Sequence, residues 1–281
     1  GRIGLGPSIL RDLSGGTAAE AALTLADTDR TFDEIAGISG QGSQAARRER
    51  LADLFGRATE AERDFLTRLI LGELRQGALE GLLIEAIADA SNLPAPDVRR
   101  AVMLAGEPGS VAAAALAEGA AGLDRFRLEP LRPVQPMLAS PSEDMTTAMA
   151  NLEQAGLEYK LDGARVQIHR VGREVRIFTR QLHDVTARLP EVVETVLRCA
   201  ADTLILDGEV IALTPEGRPQ PFQVTMRRFG RKSDVEQMRG KLPLTAFLFD
   251  CLHRDGEDLI DRPGAERSEA LAAAAGPARL V

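Results

Sequence analysis

The sequence lacks the features that mark secreted, membrane-embedded and zinc-binding proteins. Its two cysteines, Cys199 and Cys251, lie far apart and form no CxxC pattern, which argues against a structural zinc site and is typical of a reduced protein. No apolar run reaches the length of a bilayer-spanning helix. No charged-then-apolar leader opens the chain. These absences predict a cytoplasmic protein with no membrane partner.

Common nucleotide-binding and metal-binding motifs are missing as well. There is no GxxxxGK[ST] loop, because the one Gly-Lys pair, Gly240-Lys241, is followed by leucine. The glycines between residues 37 and 42 follow no convincing strand, which excludes a dinucleotide fingerprint there. The three histidines have no metal-ligand spacing, and two of them, His183 and His253, are interpreted as structural. A lysine side chain remains as the candidate chemistry for a nucleotide.

The rest of the composition is that of an ordinary globular protein. The 281 residues suffice for one large domain or two ordinary ones, and 44% of them are hydrophobic. The net charge of −8 argues only weakly against a nucleic-acid-binding protein, since local patches can override the global sign. The chain begins without an initiator methionine and stops in an alanine-rich stretch, so we expect a fragment of a longer protein.

The chain changes its periodicity near residue 128. Before this point apolar residues recur at helical spacing, as in residues 59–72, where Thr59 and Glu62 form a capping-box pattern ahead of the stripe Phe65, Leu66, Leu69 and Ile70. Further helices are predicted at residues 43–55, 79–90, 97–105 and 110–118. The spacing shows no fixed repeat, which predicts a helical bundle rather than a solenoid.

After a proline-rich junction at residues 130–136 the pattern becomes that of an α+β domain. Short β-prone runs predict strands at residues 175–180, 204–213 and 244–252, with a helix at residues 190–201 between them. We therefore predict a helical domain over residues 1–128. An α+β domain with mostly antiparallel strands is predicted over residues 129–281.

The stretch EYKLDGARVQIHR, residues 158–170, places charges at alternate positions of a predicted strand. Side chains two apart share a face and lie roughly 7 Å apart, so Glu158, Lys160 and Asp162 are expected to point the same way. After Gly163 the next shared face carries Arg165, Gln167 and His169. One interpretation is a solvated sheet face. The other rests on Gly163, which weakens a strand and suits a close backbone approach to a ligand, or a turn that aims Lys160 and Arg165 at one point.

Other strands also end in, or contain, charge. Asp207-Gly208-Glu209 interrupts an apolar strand, which is costly unless the carboxylates bind something. Arg180 follows a second strand, and Asp250 follows Phe249 at the predicted end of a third. Cations, carboxylates and an aromatic ring together suggest a polyanion with an aromatic group, such as a nucleotide.

Several segments, in order, resemble those of one enzyme family. KLDGAR at residues 160–165 fits the Lys-x-Asp-Gly-x-Arg nucleophile motif of covalent nucleotidyltransferases. FTRQLHDVT (residues 178–186), LDGEVI (206–211) and AFLFDCL (246–252) resemble the segments that follow it, and PMLA (136–139) and GELRQG (72–77) resemble segments ahead of it. The set is most similar to bacterial ATP-dependent DNA ligases of the three-domain kind. The resemblance implies a helical DNA-binding domain followed by an α+β, ATP-grasp-like adenylation domain with antiparallel sheets.

The resemblance implies that Lys160 attacks the α-phosphate of ATP, with Mg²⁺, to give a lysine–AMP adduct. Only a neutral lysine can attack, and neutralising a free lysine at pH 7 costs about 4.6 kcal/mol. Burial and nearby cations such as Arg165, Arg180 and Mg²⁺ are expected to carry part of this cost. The resemblance also implies the nucleotide contacts: Glu158 at the adenine end, Phe249 stacked on adenine, Arg165 and Glu209 at the ribose, and Arg180 at the ribose–phosphate side. Glu209 is in addition a candidate metal ligand. Asp162 is expected to orient the lysine loop and Asp207 to support the site.

The implied partner is nicked double-stranded DNA, bound by a monomer that acts in the cytoplasm at the nucleoid. Phosphate contacts are expected from Arg47, Arg48 and Arg50 after the turn at residues 40–43, or from the basic stretch at residues 227–232, and each of these is equally interpreted as a solvated surface.

The chain departs from the family pattern, and two alternatives to a DNA ligase stay open. The Glu-Gly-x-Met/Val-x-Lys and Lys-x-Lys segments and the OB-fold domain of the family are absent from this sequence, and we expect the helical domain to lack its beginning. We therefore expect incomplete activity from this chain alone. The chain could also belong to an RNA ligase or capping enzyme, or be a noncatalytic DNA-binding fragment.

Overall fold

The computed structural model describes residues 10, 13, 16–40, 42–74, 80–150, 152, 155–231, 234–275 and 279–280. The chain divides into two compact units, Gly1–Ala78 and Leu79–Val281. This division groups the helices of residues 80–123 with the sheet, while the predicted domain boundary at residue 128 stays a prediction. Within the described ranges, no helix combines the length and apolarity needed to cross a bilayer.

Between residues 16 and 74 the described part of the first unit forms three helices: α1 (Leu25–Gly37), α2 (Ser43–Gly56) and α3 (Glu60–Leu71). The predicted capping box at the start of α3 is confirmed, because Thr59 Oγ1 accepts the Glu62 N–H and Glu62 accepts the Thr59 N–H. The core contains Ile35, Leu51, Leu54, Phe55, Ala58 and Leu66. Of the predicted α3 stripe only Leu66 is buried, and Phe65 is 44% exposed.

Four helices open the second unit: α4 (Glu80–Ser91), α5 (Ala95–Ala105), α6 (Pro108–Glu118) and α7 (Ala120–Leu123). Their shared core is made of small and branched side chains, among them Ile84, Ile87, Val98, Val102 and Val111. A short helix, α8 (Met145–Ala150), follows and buries none of its residues.

The remainder of the second unit is a six-stranded sheet with helices. The strands are β1 (Ala164–Val171), β2 (Glu174–Thr179), β3 (Thr203–Ala212), β4 (Leu244–Arg254), β5 (Glu257–Asp258) and β6 (Arg279–Leu280). Their order is β2-β1-β3-β4-β5, with β6 beside β4; all pairs are antiparallel except β4 and β6. The helices are α9 (Pro190–Val196), α10 (Phe222–Phe229), α11 (Val235–Lys241) and α12 (Gly264–Ala275). The predicted fold class, a helical region followed by an α+β region with an antiparallel sheet, is confirmed.

Alternate side chains of β1 point to opposite faces of the sheet. Ala164, Val166 and Ile168 lie in the main core, which also contains side chains of α9, α10 and α12. On the opposite face a smaller cluster joins Leu104 of α5 to Ile205 of β3. This division follows directly from the period of two in a β-strand.

The polar side chains of β1 hold the segment at residues 131–137 by its backbone, and we call this set of bonds the linker ladder. The ladder consists of Leu131 N–H to His169 Nδ1 (3.0 Å), Val134 N–H to Gln167 Oε1 (2.9 Å), Gln167 Nε2 to Val134 O (3.3 Å) and Arg165 Nη1 to Met137 O (3.0 Å). Burial, helped by the charge of His253, lowers the pKa of His169 to about 3, so the imidazole remains neutral. The linker segment is therefore held along β1 as far as Met137, the residue directly before Leu138.

Candidate functional site

A cavity of about 660 Å³ gathers the predicted nucleophile Lys160 and the five predicted nucleotide-binding residues, together with Asp162. Its volume is in the range of small-molecule sites. Its lining comes from the two residues after the linker, from the segment before β1, from β1, β3 and β4, and from the residue that follows β2. The lining residues are Leu138, Ala139, Glu158, Tyr159, Lys160, Leu161, Asp162, Gly163, Arg165, Arg180, Glu209 and Phe249. Asp207, predicted to support the site, does not line this cavity and contacts Arg165 instead. The sequence reasoning did not identify Leu138, Ala139 or Tyr159 as site residues, although Tyr159 is the direct neighbour of Lys160.

A second cavity, of about 520 Å³, lies in the first unit between α1 and α3. Its lining is mainly apolar, with Phe32, Phe65 and Leu69 among the contributors. None of its described lining residues is a lysine, arginine or histidine. Phosphate chemistry is therefore expected at the larger cavity.

The segment that carries Lys160 is not a strand, so that prediction is wrong. β1 begins at Ala164, and residues 155–162 have no regular secondary structure. The side chains that alternate with the charges are not covered, since Leu157 is 81% and Tyr159 is 87% exposed. A strand is held in register where one of its faces is buried, and this segment has no buried face. Lys160 instead lies on an exposed segment without regular secondary structure, at the cavity.

Gly163 holds this segment against β3. Its N–H donates to Glu209 Oε1 at 3.1 Å, and a Cβ at this position would lie 2.4 Å from Val210 O. The glycine therefore permits a close backbone approach, as one interpretation required, but the approach is to the neighbouring strand. The contacts of Gly163 with β3 therefore determine where the preceding segment, with Lys160, lies at the cavity.

Arg165 forms part of the cavity wall and is held at three points. Its Nε and Nη2 donate to Asp207 at 3.2 and 2.5 Å, and Nη1 donates to Met137 O as part of the linker ladder. The guanidinium carbon lies 5.5 Å from the centre of the Phe249 ring, within cation–π range. Burial alone would lower the pKa of Arg165, but the hydrogen bond and charge of Asp207 outweigh it and raise the pKa.

Two carboxylates of β3 lie beside this arginine. Burial raises the pKa of Asp207, and the Arg165 charge opposes that rise without cancelling it. Burial also raises the pKa of Glu209, against the Gly163 N–H and the charges of Arg165 and Lys160. Asp207 thus contacts Arg165 directly, while Glu209 presents a half-buried acceptor to the cavity.

Phe249 lies at a β-bulge in β4. The strand predicted at residues 244–252 lies within β4, which continues to Arg254, so Asp250 lies inside the strand and not at its end. Asp207 pairs with Asp250 and Gly208 pairs with Leu248, so Phe249 has no partner on β3. Such a bulge re-aims a side chain, and it explains Gly208, where a Cβ would lie 2.6 Å from Phe247 O.

The basic residues predicted to contact DNA divide into different environments. Arg47 donates to Ile35 O (3.3 Å) and Ile38 O (2.5 Å) at the end of α1, which favours a structural role. Arg228 is fully buried and pairs with Glu191, so the stretch at residues 227–232 is not wholly a surface patch. Lys232 of that stretch and residues 75–77 of the GELRQG segment lie outside the described residues.

The two histidines interpreted as structural lie away from the cavity lining. His253 Nδ1 contacts Asp258 Oδ1 at 2.6 Å, and the Gly256 N–H donates to Nε2 at 3.3 Å. His183 is exposed in the turn after β2.

Comparison with known proteins identifies two family models along the chain. The ATP dependent DNA ligase domain model matches residues 136–279, and the DNA ligase N terminus model matches residues 9–88. A "Probable DNA ligase" of Anaeromyxobacter sp. (strain Fw109-5) is 59% identical over 276 residues, covering 98% of this chain and 53% of that protein. A "Probable DNA ligase" of Sorangium cellulosum (strain So ce56) is 54% identical over 273 residues, covering 96% and 51%.

A solved structure described as the ligase domain from M. tuberculosis LigD is 25% identical and covers 44% of this chain and 38% of that chain, with a TM-score of 0.36. The chain spans about half the length of the curated relatives it matches.

Proposed function

The chain belongs to the ATP-dependent DNA ligase family, and we propose that the protein seals nicks in duplex DNA through an AMP adduct on Lys160. One observation carries this proposal: six residues chosen from separate sequence segments line one cavity, with Lys160 among them. The match to the DNA ligase N terminus model over residues 9–88 favours a DNA ligase over an RNA ligase or a capping enzyme.

The proposed reaction has three transfers. The Lys160 Nζ lone pair of the neutral amine attacks the α-phosphorus of ATP, the bond to the bridging oxygen breaks, and pyrophosphate leaves as the amine loses one proton to water. A 5′-phosphate oxygen of the nick then attacks the same phosphorus, and the P–N bond breaks to release the lysine. Finally the 3′-hydroxyl attacks the activated 5′-phosphate and AMP leaves.

The cavity residues support specific parts of the first transfer. Phe249, backed by the guanidinium of Arg165, offers a face for the adenine ring, since base–aromatic stacking contributes about 1–3 kcal/mol. Arg180 is an exposed cation at the cavity and suits the phosphates. Glu209 is placed to accept from a ribose hydroxyl, and Glu158 lies at the cavity for the adenine end.

Mg²⁺ would neutralise phosphate charge in this site. Among the described residues no group of three or more His, Cys, Asp or Glu side chains forms a protein-only metal cage. Mg²⁺ commonly binds through one or two carboxylates together with substrate phosphates. Three carboxylates line the cavity, and with Glu158 assigned to the adenine end, Glu209 and Asp162 fit this mode.

The intact mass of the protein after incubation with ATP and Mg²⁺ tests the proposal. We expect a gain of one AMP that is abolished in Lys160→Ala. Lys241→Ala is the matched control, because Lys241 is one of only two other lysines in the sequence and lies in α11, away from the cavity lining. In the full-length protein, a labelled nicked duplex should be sealed by the unmodified form and by Lys241→Ala but not by Lys160→Ala. An AMP adduct retained in Lys160→Ala would refute the assignment of the nucleophile.

A further inference from the structure

Two ion pairs flank Phe249, and in the second of them one partner, Arg267, lies outside the motif segments. On one side Arg165 pairs with Asp207, as described above. On the other side Arg267 of α12 donates to both oxygens of Asp250, from Nε at 2.8 Å and from Nη2 at 3.1 Å. Both members of the second pair are four-fifths buried, and the hydrogen bond to Asp250 raises the pKa of Arg267.

The bulge brings these groups to one place. Asp207 and Asp250 are cross-strand partners, so two carboxylates that repel each other face one another across β3 and β4. Phe249 and Asp250, although consecutive, both line a small cavity of about 190 Å³ that also contains Arg165 and Asp207. This small cavity shares Phe249 and Arg165 with the larger one, so a shift of the bulge would change the wall of both.

We infer that Arg267 is a positioning residue for the nucleotide pocket: it clamps Asp250, and thereby fixes the bulge that presents Phe249 to the adenine ring. The clamp also neutralises Asp250, which leaves Arg165 bound to Asp207 instead of being shared between two carboxylates. Arg267 is anchored in turn, since its Nη1 donates to Arg262 O at 2.6 Å. This inference rests on the proposed function, because it requires ATP in the larger cavity.

The test measures the rate of AMP-adduct formation against ATP concentration in Arg267→Met, Phe249→Ala and the double variant. We expect Arg267→Met to raise the half-saturating ATP concentration about tenfold, within the contribution of base stacking, while the maximal rate changes less than about threefold. Because Arg267 acts through Phe249, the double variant should bind ATP no more weakly than Phe249→Ala alone. Arg267→Lys keeps the charge without the two-point contact and should recover part of the loss.

Two further variants keep the inference falsifiable. Arg262→Met is the matched control, because Arg262 makes exposed ion pairs with Glu257 and Glu266 and is expected to leave the half-saturating concentration unchanged. If Arg267→Met does not fold, Asp250→Asn removes the same charge contact and should give the same rise. An unchanged half-saturating concentration in the folded variants, or a further loss in the double variant, would overturn the clamp. If the unmodified protein forms no adduct, the proposed function fails and the clamp fails with it.

Discussion

Replacing Gly163 by alanine is expected to slow formation of the AMP adduct about a hundredfold while the sheet stays folded. The new Cβ would lie 2.4 Å from Val210 O and 2.8 Å from Ile211 Cγ1, where ordinary contacts begin at 3.4 Å. The segment must therefore move by about 1 Å (3.4 − 2.4) away from β3, and a misplacement of this size is enough for a loss of about 10²-fold. The shift also lengthens the 3.1 Å bond from the Gly163 N–H to Glu209.

Gly156→Ala is the matched control for this prediction. Gly156 belongs to the same segment, and a Cβ there would meet nothing within 4 Å. Both variants are compared with the unmodified protein in a single-turnover assay that follows the adduct by intact mass, with circular dichroism to verify the sheet. An adduct rate in Gly163→Ala within about threefold of the unmodified protein, or an equal loss in Gly156→Ala, would refute the role of the close approach.

Two further predictions concern stability. Glu191→Leu leaves the fully buried Arg228 without its carboxylate and is expected to lower the free energy of unfolding, measured in urea, by about 3–5 kcal/mol. The double variant Glu191→Leu with Arg228→Met should recover part of that loss. Losses that add up in the double variant would contradict this account. Lowering the pH from about 7.5 to about 5 should reduce the free energy of unfolding through His169, because protons bind the unfolded imidazole (pKa 6.5) but not the folded one (about 3). His169→Gln should show a smaller reduction, and an equal reduction in both proteins would refute it.

The periodic parts of the fold are predictable from the sequence. β2, β3 and β4 begin within one residue of their predicted starts, because their apolar residues are buried by the sheet core. The capping box at Thr59 is local chemistry and is read from four residues. The prediction of a strand at residues 158–162 is wrong because alternating charges only suggest that one face is buried. Whether that face is buried depends on the assembled sheet, and here it is exposed.

The candidate site is predictable to a similar extent. The motif residues were named from the resemblance, and the structure brings them to one cavity, while their individual roles stay predictions. The sequence gives no sign of the Asp250–Arg267 pair, since Arg267 lies 17 residues further on in a stretch with no motif. The bulge at Phe249 depends on how β3 and β4 align, which neither strand encodes alone.

The linker ladder has a consequence for how this part of the chain can evolve. Its bonds reach the backbone groups of Leu131, Val134 and Met137, so they require only a backbone N–H at residues 131 and 134, which excludes proline there. They do fix the number of residues between them. Apart from Val134, which is buried in the cluster with Leu104 and Ile205, the linker can therefore change in composition but not in length, because one inserted residue would put every later backbone group out of register with β1. The last group displaced would be the Met137 carbonyl, which binds Arg165 at the cavity wall.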